Sequence, residues 1–215
     1  LENMPDSSLK LLTNKELIAL NQDPLGLQAY VAQHENEGYV LVKDIEQKRG
    51  NVRAVALYNP SDTICSFSVP FSSLEFGGNV KVRDLVKHSD LGNFSGTFEQ
   101  TLPAHSAMFL RIEGETRLEP TLYEAEWAYL PLFNDLGKNP KGIIYAHDKE
   151  ASGKMKVGFL GGQPENYAEW REVYSENGGR YDMTIHYLYG KGRQIELDVN
   201  GIITKIDSLL SLIHI

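Results

Sequence analysis

Three pairs of acidic residues lie close together in the sequence and have the residue types for chemistry. They are Glu35 with Glu37, Glu124 with Glu126, and Glu165 with Glu169. Two neighbouring carboxyl groups can divide the roles of nucleophile and acid, or they can share a cation. The first and third pairs flank predicted turns or lie on predicted strand surfaces, where solvated charge is the ordinary role. The Glu124 and Glu126 pair is the more informative one.

Glu124 and Glu126 are two residues apart in a segment predicted to be a strand, so their side chains are expected on the same face. Like charges in that arrangement repel each other unless a cation lies between them. Oxygen ligands of this kind suit Ca²⁺. The spacing is therefore compatible with a calcium site and equally with two solvent-facing acids.

The other reactive side chains give weak signals. The six histidines show neither an i, i+4 pair nor the spacing of metal ligands, and a single cysteine excludes an intrachain disulfide and a Cys-based zinc site. Cys65 alternates with Phe67 and Val69, which predicts a buried apolar position and not a nucleophile. The sequence also lacks a Gly-Xaa-Ser-Xaa-Gly motif and the glycine motifs that bind phosphates or dinucleotides.

The length, composition and net charge of the chain limit the class of protein to which it can belong. A chain of 215 residues with 41% hydrophobic content is long enough for two modest domains with their own cores. A net charge of -8 argues against a nucleic-acid-binding surface, which needs clustered lysine and arginine. Apolar runs stay well short of the roughly 20 residues that cross a bilayer, so membrane insertion is not predicted. The oligomeric state is left open.

Helical patterning is confined to the beginning of the chain, where apolar residues recur at helical spacing. Pro5 suits a first helical position, and Asn14 is the predicted cap of a second helix over residues 15–22. Pro24 biases the residue before it away from helical dihedrals, so this helix should end there. Two helices this short cannot bury their apolar side alone.

Residues 28–113 alternate between apolar and polar side chains, which predicts antiparallel strands. Val80 and Val82 follow this pattern, and a longer run extends from Phe94 to Leu102. Turn residues, among them Gly77–Asn79, separate the runs. Seven or eight strands result, enough for a β-sandwich.

Two strings flank this region. Residues Asn21–Gly26 read NQDPLG and begin in the last turn of the helix predicted over residues 15–22. Residues Leu102–Ile112 read LPAHSAMFLRI. The NQDPLG string resembles the end of the catalytic barrel in glycoside hydrolase family 27, the α-galactosidases or melibiases. The LPAHSAMFLRI string resembles the last strands of that family's C-terminal domain. The resemblance implies that residues 1–26 are terminal helices of a (β/α)8 barrel and that residues 27–114 form an antiparallel β-sandwich.

The same resemblance implies an activity for a longer parent protein. Family 27 enzymes are retaining hydrolases of terminal α-galactosides in oligo- or polysaccharides, and a secreted or periplasmic location is expected. Their two catalytic aspartates lie at the C-terminal ends of barrel strands, and the aspartates of this sequence lie outside those motifs. We therefore predict no catalytic residue, no cofactor for catalysis, and an inactive chain when it is isolated.

Two alternatives stay open at this point. The parent enzyme could be specific for α-N-acetylgalactosaminides or β-L-arabinopyranosides, because the pocket that discriminates them is part of the barrel. The chain could also be a non-catalytic carbohydrate-binding or structural β-sandwich protein.

Residues 115–121 are predicted to be a linker, after which the pattern restarts in residues 122–209. The strings YEAE, ASG, VGFLG and NYAEW follow one another there and resemble carbohydrate-binding modules of families 6 and 35. The resemblance implies a partial, jelly-roll-like β-sandwich that lacks its last strands, and Asn200–Gly201 predicts a hairpin. Residues 210–215, LSLIHI, resemble a translated sequencing-adapter scar. With Leu1 in first position, we expect a fragment cut at both ends.

The resemblance to these modules implies binding of carbohydrate, here galactose-containing glycans. Sugar recognition combines an aromatic ring with polar groups that hydrogen-bond hydroxyls. Tyr129, Phe133 and Asn134 lie in the first loop region and are the predicted carbohydrate-binding residues, with packing as the alternative for each. In modules of this kind the two opening glutamates help to bind a structural Ca²⁺ together with loop carbonyls. The likeness assigns that role to Glu124 and Glu126.

Overall fold

The structure is a computed structural model, and the residues it describes are 4–35, 37–46, 50–133, 143–152, 155–171, 173–187, 194–206 and 213–214. The chain divides into two compact units, Leu1–Tyr174 and Ser175–Ile215. In the described ranges, both α-helices are far too short and polar to span a membrane.

Two short helices open the first unit, α1 (Asp6–Leu12) and α2 (Lys15–Asn21). The Asn14 side chain accepts hydrogen bonds at 2.9 and 3.1 Å from two backbone N–H groups in the first turn of α2, so the predicted cap is confirmed. Pro5 directly precedes α1 instead of opening it. Neither helix has a buried residue, and three leucines of α1 are exposed.

Eight antiparallel strands follow: β1 (Tyr30–Glu35), β2 (Gly38–Asp44), β3 (Val52–Asn59), β4 (Cys65–Pro70), β5 (Phe76–Asp84), β6 (Ser89–Ser95), β7 (Thr97–Leu102) and β8 (Ser106–Arg117). Six of them form one sheet in the order β1-β2-β3-β8-β5-β6, and β4 pairs with β7 in a second sheet. The mainly β fold predicted from the alternation is confirmed.

The core lies between the two sheets and follows from the alternation of side chains. Cys65, Phe67 and Val69 on β4 are buried, as are Val80 and Val82 on β5, while the residues between them are more exposed. The buried apolar position predicted for Cys65 is therefore correct.

Two glycines overturn details of the strand assignment. The run Phe94–Leu102 is not one strand, because Gly96, with a φ of +77°, separates β6 from β7 in the other sheet. Alternation survives this change of sheet, since Phe94 packs edge-on against Phe98 at 5.2 Å within the shared core. Gly77–Asn79 is not a turn but a bulge inside β5, with Gly78 at a φ of +71°.

A buried ion network lies at one end of the sandwich. The guanidinium of Arg53, whose side chain is only 4% exposed, lies 2.6 Å from Asp44 Oδ1 and 3.2 Å from Glu75 Oε2. Arg117 also donates to Glu75 Oε2, from Nε at 3.0 Å and Nη2 at 2.9 Å. Removing one member of such a network would leave a buried charge uncompensated, so the four side chains fix this end of the sheet.

Residues 122–174 continue the first unit, and their described part has much less regular structure than the sandwich. They contain a 3-10 turn at Ala125–Trp127 and an antiparallel pair, β9 (Ile144–His147) and β10 (Met155–Gly158). Their buried apolar core consists of Ala128, Leu130 and Ile143 in the described part. The strand predicted around residues 123–126 is wrong, because the chain forms the 3-10 turn there.

This segment, residues 122–174, packs against the sandwich through aromatic rings. Trp127 stacks on Tyr30 of β1, with ring centroids 5.7 Å apart and planes inclined by 28°. The Arg117 guanidinium, already bound to Glu75, lies 4.5 Å from the centre of the Tyr174 ring. The Arg117 contact therefore joins the segment directly to the ion network of the sandwich.

The second unit contains short strand pairs. β11 (Thr184–Ile185) pairs with β14 (Ile213–His214), and β12 (Ile195–Val199) pairs with β13 (Ile202–Ile206). The latter two form a hairpin across Asn200–Gly201, both with positive φ, which is the type I′ geometry that this dipeptide predicts.

Candidate functional site

A polar cluster joins α2 to the six-stranded sheet. Glu16 accepts hydrogen bonds from Arg83 Nε at 2.7 Å and Nη2 at 2.9 Å, and His88 Nδ1 lies 2.6 Å from Glu16 Oε1. These contacts, led by the hydrogen bonds from Arg83, lower the pKa of Glu16 to about 2. Arg83 also donates to Asp90 at 3.0 Å. The cluster positions the helix and contains no free carboxylate pair of catalytic type.

Further contacts hold α2 on the sheet. Asn14, besides capping the helix, donates from Nδ2 to the carbonyl of Leu85 at 2.8 Å. Leu20 packs against the buried Ile45, Val52 and Ala54. Helix α2 is thus fastened to the sheet by a cap, an ion network and an apolar contact.

The predicted carbohydrate-binding residues lie on the surface of segment 122–174. Tyr129 and Phe133 are 42% and 39% exposed and flank the buried Leu130. Phe133 forms a parallel bridge with Ile143, which anchors its backbone to the small core. Asn134 lies outside the described residues. Both aromatic rings are therefore on the outside, where a ligand could reach them.

Tyr129 is part of a wider surface group. Its backbone exchanges two hydrogen bonds with Glu169, Tyr129 N to Glu169 O at 2.8 Å and Glu169 N to Tyr129 O at 3.0 Å. The Arg171 guanidinium lies 4.2 Å from the centre of the Tyr129 ring and donates to Glu169 Oε2 at 2.8 Å. That hydrogen bond, first among the causes, raises the pKa of Arg171.

The predicted calcium ligands lie on either side of the first residue of the 3-10 turn. Glu124 Oε2 accepts a hydrogen bond from Ser152 Oγ at 2.8 Å, and its carbonyl accepts one from Trp170 Nε1 at 3.0 Å. Burial, and after it the neighbouring charge of Glu124, raises the pKa of Glu126. The charge of Glu124 thus acts on Glu126 within a turn and not along a strand, and the calcium role of the two residues stays a prediction.

These oxygens match Ca²⁺ in type but supply only part of its coordination. Ca²⁺ takes about six to eight oxygen ligands. Glu124, Glu126 and the Ser152 hydroxyl are the oxygen donors that the structure gathers here. Within the described ranges, no group of three or more histidine, cysteine, aspartate or glutamate side chains could hold a metal.

The sequence patterns miss three side chains of this surface. They assign Glu169 only a solvated charge, and they leave Tyr167 and Arg171 out of the predicted carbohydrate-binding set. Their spacing of two residues could have placed all three on one strand face with a partner across the bridge. The signal is weak, because this stretch has a single bridged residue and no long alternation.

Comparison with known proteins gives one family match inside the sandwich. Residues 36–112 match the family described as "Alpha galactosidase C-terminal beta sandwich domain". The matched stretch runs from the start of β2 into β8 and so covers most of the two sheets. This C-terminal galactosidase domain is the region to which the sequence resemblance pointed, and the likeness of residues 122–209 to carbohydrate-binding modules stays a prediction.

Relatives agree with the galactosidase domain match. Alpha-galactosidase 3 of Arabidopsis thaliana is 37% identical over 106 residues, which are 48% of this chain and 24% of that protein. Alpha-galactosidase of Cyamopsis tetragonoloba is 31% identical over 105 residues, 48% of this chain and 25% of that protein. The chain thus spans about a quarter of the length of these relatives. The crystal structure of alpha-galactosidase I from Mortierella vinacea aligns with a TM-score of 0.49 at 23% identity, over 54% of this chain and 30% of that one.

Proposed function

We propose that this chain is the C-terminal part of a family 27 glycoside hydrolase that acts on terminal α-galactosides. The domain match over residues 36–112 carries the proposal, and relatives named alpha-galactosidases support it. The proposal includes a secreted or periplasmic location for the complete protein, which fractionation of producing cells would test.

Within that enzyme the sandwich acts as a non-catalytic support. Its partly buried acids Asp44 and Glu75 are held by arginines, and Asp84 accepts the backbone N–H groups of the turn that follows β5. Acids committed in this way are poor candidates for nucleophile or proton donor. Helix α2 is fastened to the sheet and α1 exposes its leucines, an arrangement that suits attachment to a larger body on that side.

Hydrolysis by the complete polypeptide tests this function. It would be assayed on three aryl glycosides, an α-galactoside, an α-N-acetylgalactosaminide and a β-L-arabinopyranoside. Preference for the α-galactoside with retention of configuration at the anomeric carbon supports the proposal. Preference for either of the other two substrates would support a glycoside hydrolase of different specificity. Inactivity on all three substrates would contradict the proposed activity.

A further proposed role is carbohydrate binding by segment 122–174. Tyr129 and Phe133 support it, because both rings are exposed although the core residue Leu130 between them is buried. Stacking on the CH-rich face of a sugar is the usual use of such rings. A Phe133→Ala variant of the whole chain should bind a galactose-containing oligosaccharide more weakly in calorimetry; binding unchanged by this substitution would remove Phe133 from the site.

We also propose a structural Ca²⁺ held by Glu124, Glu126 and Ser152 with further oxygens. Because burial raises the pKa of Glu126, protons compete with the cation, so affinity should rise with pH. Added Ca²⁺ should raise the unfolding temperature of the chain, and a chelator should reverse this. Glu126→Gln should abolish the shift, and Glu99→Gln, on the exposed face of β7, should preserve it. An unfolding temperature insensitive to Ca²⁺ contradicts the site.

A further inference from the structure

Four side chains form one exposed group across the bridge between Tyr129 and Glu169. A residue pair that exchanges both backbone hydrogen bonds projects its side chains to the same face of the two strands. Arg171, two positions after Glu169, contacts both its carboxylate and the Tyr129 ring, and the exposed Tyr167 lies two positions before Glu169 in the chain. The pKa of Arg171 is raised first by its hydrogen bond to Glu169 and, to a smaller extent, by Tyr129 and Tyr167, so both tyrosines lie within electrostatic reach of its guanidinium.

The geometry combines two flat apolar surfaces with a fixed polar pair. Tyr129 and Tyr167 are each 42% exposed. Arg171 donates to Glu169 at 2.8 Å, and its guanidinium lies over the Tyr129 ring at 4.2 Å from the ring centre. The guanidinium has five N–H donors and the carboxylate has several lone pairs, so each keeps hydrogen-bonding capacity after pairing with the other. A donor group and an acceptor group are thus held side by side next to aromatic rings.

We infer that Tyr129, Tyr167, Glu169 and Arg171 form a binding site for a neutral pyranose with adjacent hydroxyl groups. The two rings contact the CH face of the sugar, and the Glu169–Arg171 pair accepts from one hydroxyl and donates to its neighbour. This inference rests on the proposed carbohydrate-binding role and extends it to three residues outside the predicted set.

Charge selects the neutral sugar over an acidic one. The carboxylate of Glu169 already compensates the guanidinium of Arg171, so the site offers no surplus positive charge to a uronate. The net charge of -8 of the whole chain adds a long-range repulsion for anions. A uronic acid with the same ring should therefore bind more weakly than its neutral counterpart.

The test is an NMR titration of the 215-residue chain with methyl α-D-galactopyranoside and, separately, with D-galacturonate. The neutral sugar should shift the backbone amides around residues 129 and 167–171, and galacturonate should shift them less at equal concentration. Tyr167→Ala and Arg171→Gln should each raise the Kd about tenfold, because each removes one ring or one donor group. Tyr58→Ala removes a tyrosine of matched exposure, 43%, from the sandwich and should leave the Kd unchanged.

Three results would overturn the inference. They are a lack of shifts with the neutral sugar, tighter binding of galacturonate, and a Kd that Tyr167→Ala and Arg171→Gln leave unchanged while their amide spectra remain folded. Sugar binding that is weakened by Phe133→Ala but by neither of these variants would refute this site alone and leave the carbohydrate-binding role standing. Hydrolysis by the complete polypeptide is independent of all these outcomes.

Discussion

The sandwich and segment 122–174 differ greatly in the amount of regular structure and of buried core that each contains. The sandwich has eight strands, a continuous core with several fully buried aromatic and aliphatic side chains, and a buried ion network. The segment has two four-residue strands and three buried apolar residues in its described part. It rests on the sandwich through Trp127 and Tyr174. The sandwich therefore supports itself, whereas segment 122–174 depends on the sandwich and leaves its aromatic rings available.

The largest expected effect comes from truncating the main core. Leu57 and Ile143 are both 0% exposed, so Leu57→Ala and Ile143→Ala form a matched pair. Leu57→Ala should lower the free energy of unfolding of the whole first unit by about 3 kcal/mol in urea denaturation. Ile143→Ala should instead increase amide exchange in segment 122–174 and leave the sandwich amides protected. Equal loss of protection in the segment and in the sandwich from Ile143→Ala would contradict this difference between the two regions.

The next largest loss of stability is expected when a tightly packed glycine is replaced by alanine. A Cβ at Gly38 would lie 2.7 Å from Cys65 Sγ, whereas a Cβ at Gly158 would lie no closer than 3.4 Å to Ile144. Gly38→Ala should therefore destabilise the sandwich by about 2 kcal/mol through overpacking. Gly158→Ala should change stability by less than about 0.5 kcal/mol. Thermal unfolding of both variants measures the difference, and a tolerated Gly38→Ala would argue against the tight core described here.

Removing the aromatic contact between the sandwich and segment 122–174 should cost less free energy of unfolding than Leu57→Ala or Gly38→Ala. Trp127→Ala removes the stack on Tyr30 and should destabilise segment 122–174 by about 1 kcal/mol, seen as faster amide exchange there. Tyr30→Phe keeps the ring and serves as the control. Unchanged exchange in Trp127→Ala would show that the segment stands without the sandwich.

The smallest effect concerns the attachment of α2. Glu16→Gln should weaken docking of the helix by about 0.5–1 kcal/mol, because it removes a charge-assisted pair with Arg83. The pKa of Glu16 is lowered from 4.5 to about 2, so its contribution is complete above pH 4.5 and lost as pH falls toward 2. The protection factors of the α2 amides, which correct for the intrinsic pH dependence of exchange, should therefore fall over that pH range in the natural chain. The same fall in Glu16→Gln would exclude Glu16 as its cause.

The two regions also differ in how far the sequence predicts them. Alternation at Cys65–Val69 and Val80–Val82 predicts the sandwich, because long antiparallel strands bury one face. Two local signals also suffice by themselves: Asn14 specifies the helix cap, and Asn200–Gly201 specifies the hairpin turn. The strand assignment fails at Gly96 and Gly78, since alternation alone cannot tell a change of sheet or a bulge from a turn. In segment 122–174 strand spacing fails at Glu124 and Glu126, because short elements are set by packing that sequence patterns do not record.

The measurement that tests the central claim most directly is hydrolysis by this 215-residue chain itself. The sandwich is proposed as a support and the segment as a binding surface, so the chain should release no aryl group from an aryl α-galactoside, while the complete polypeptide should cleave it under the same conditions. Turnover by the isolated chain, abolished when one of its own carboxylates is replaced, would contradict the account.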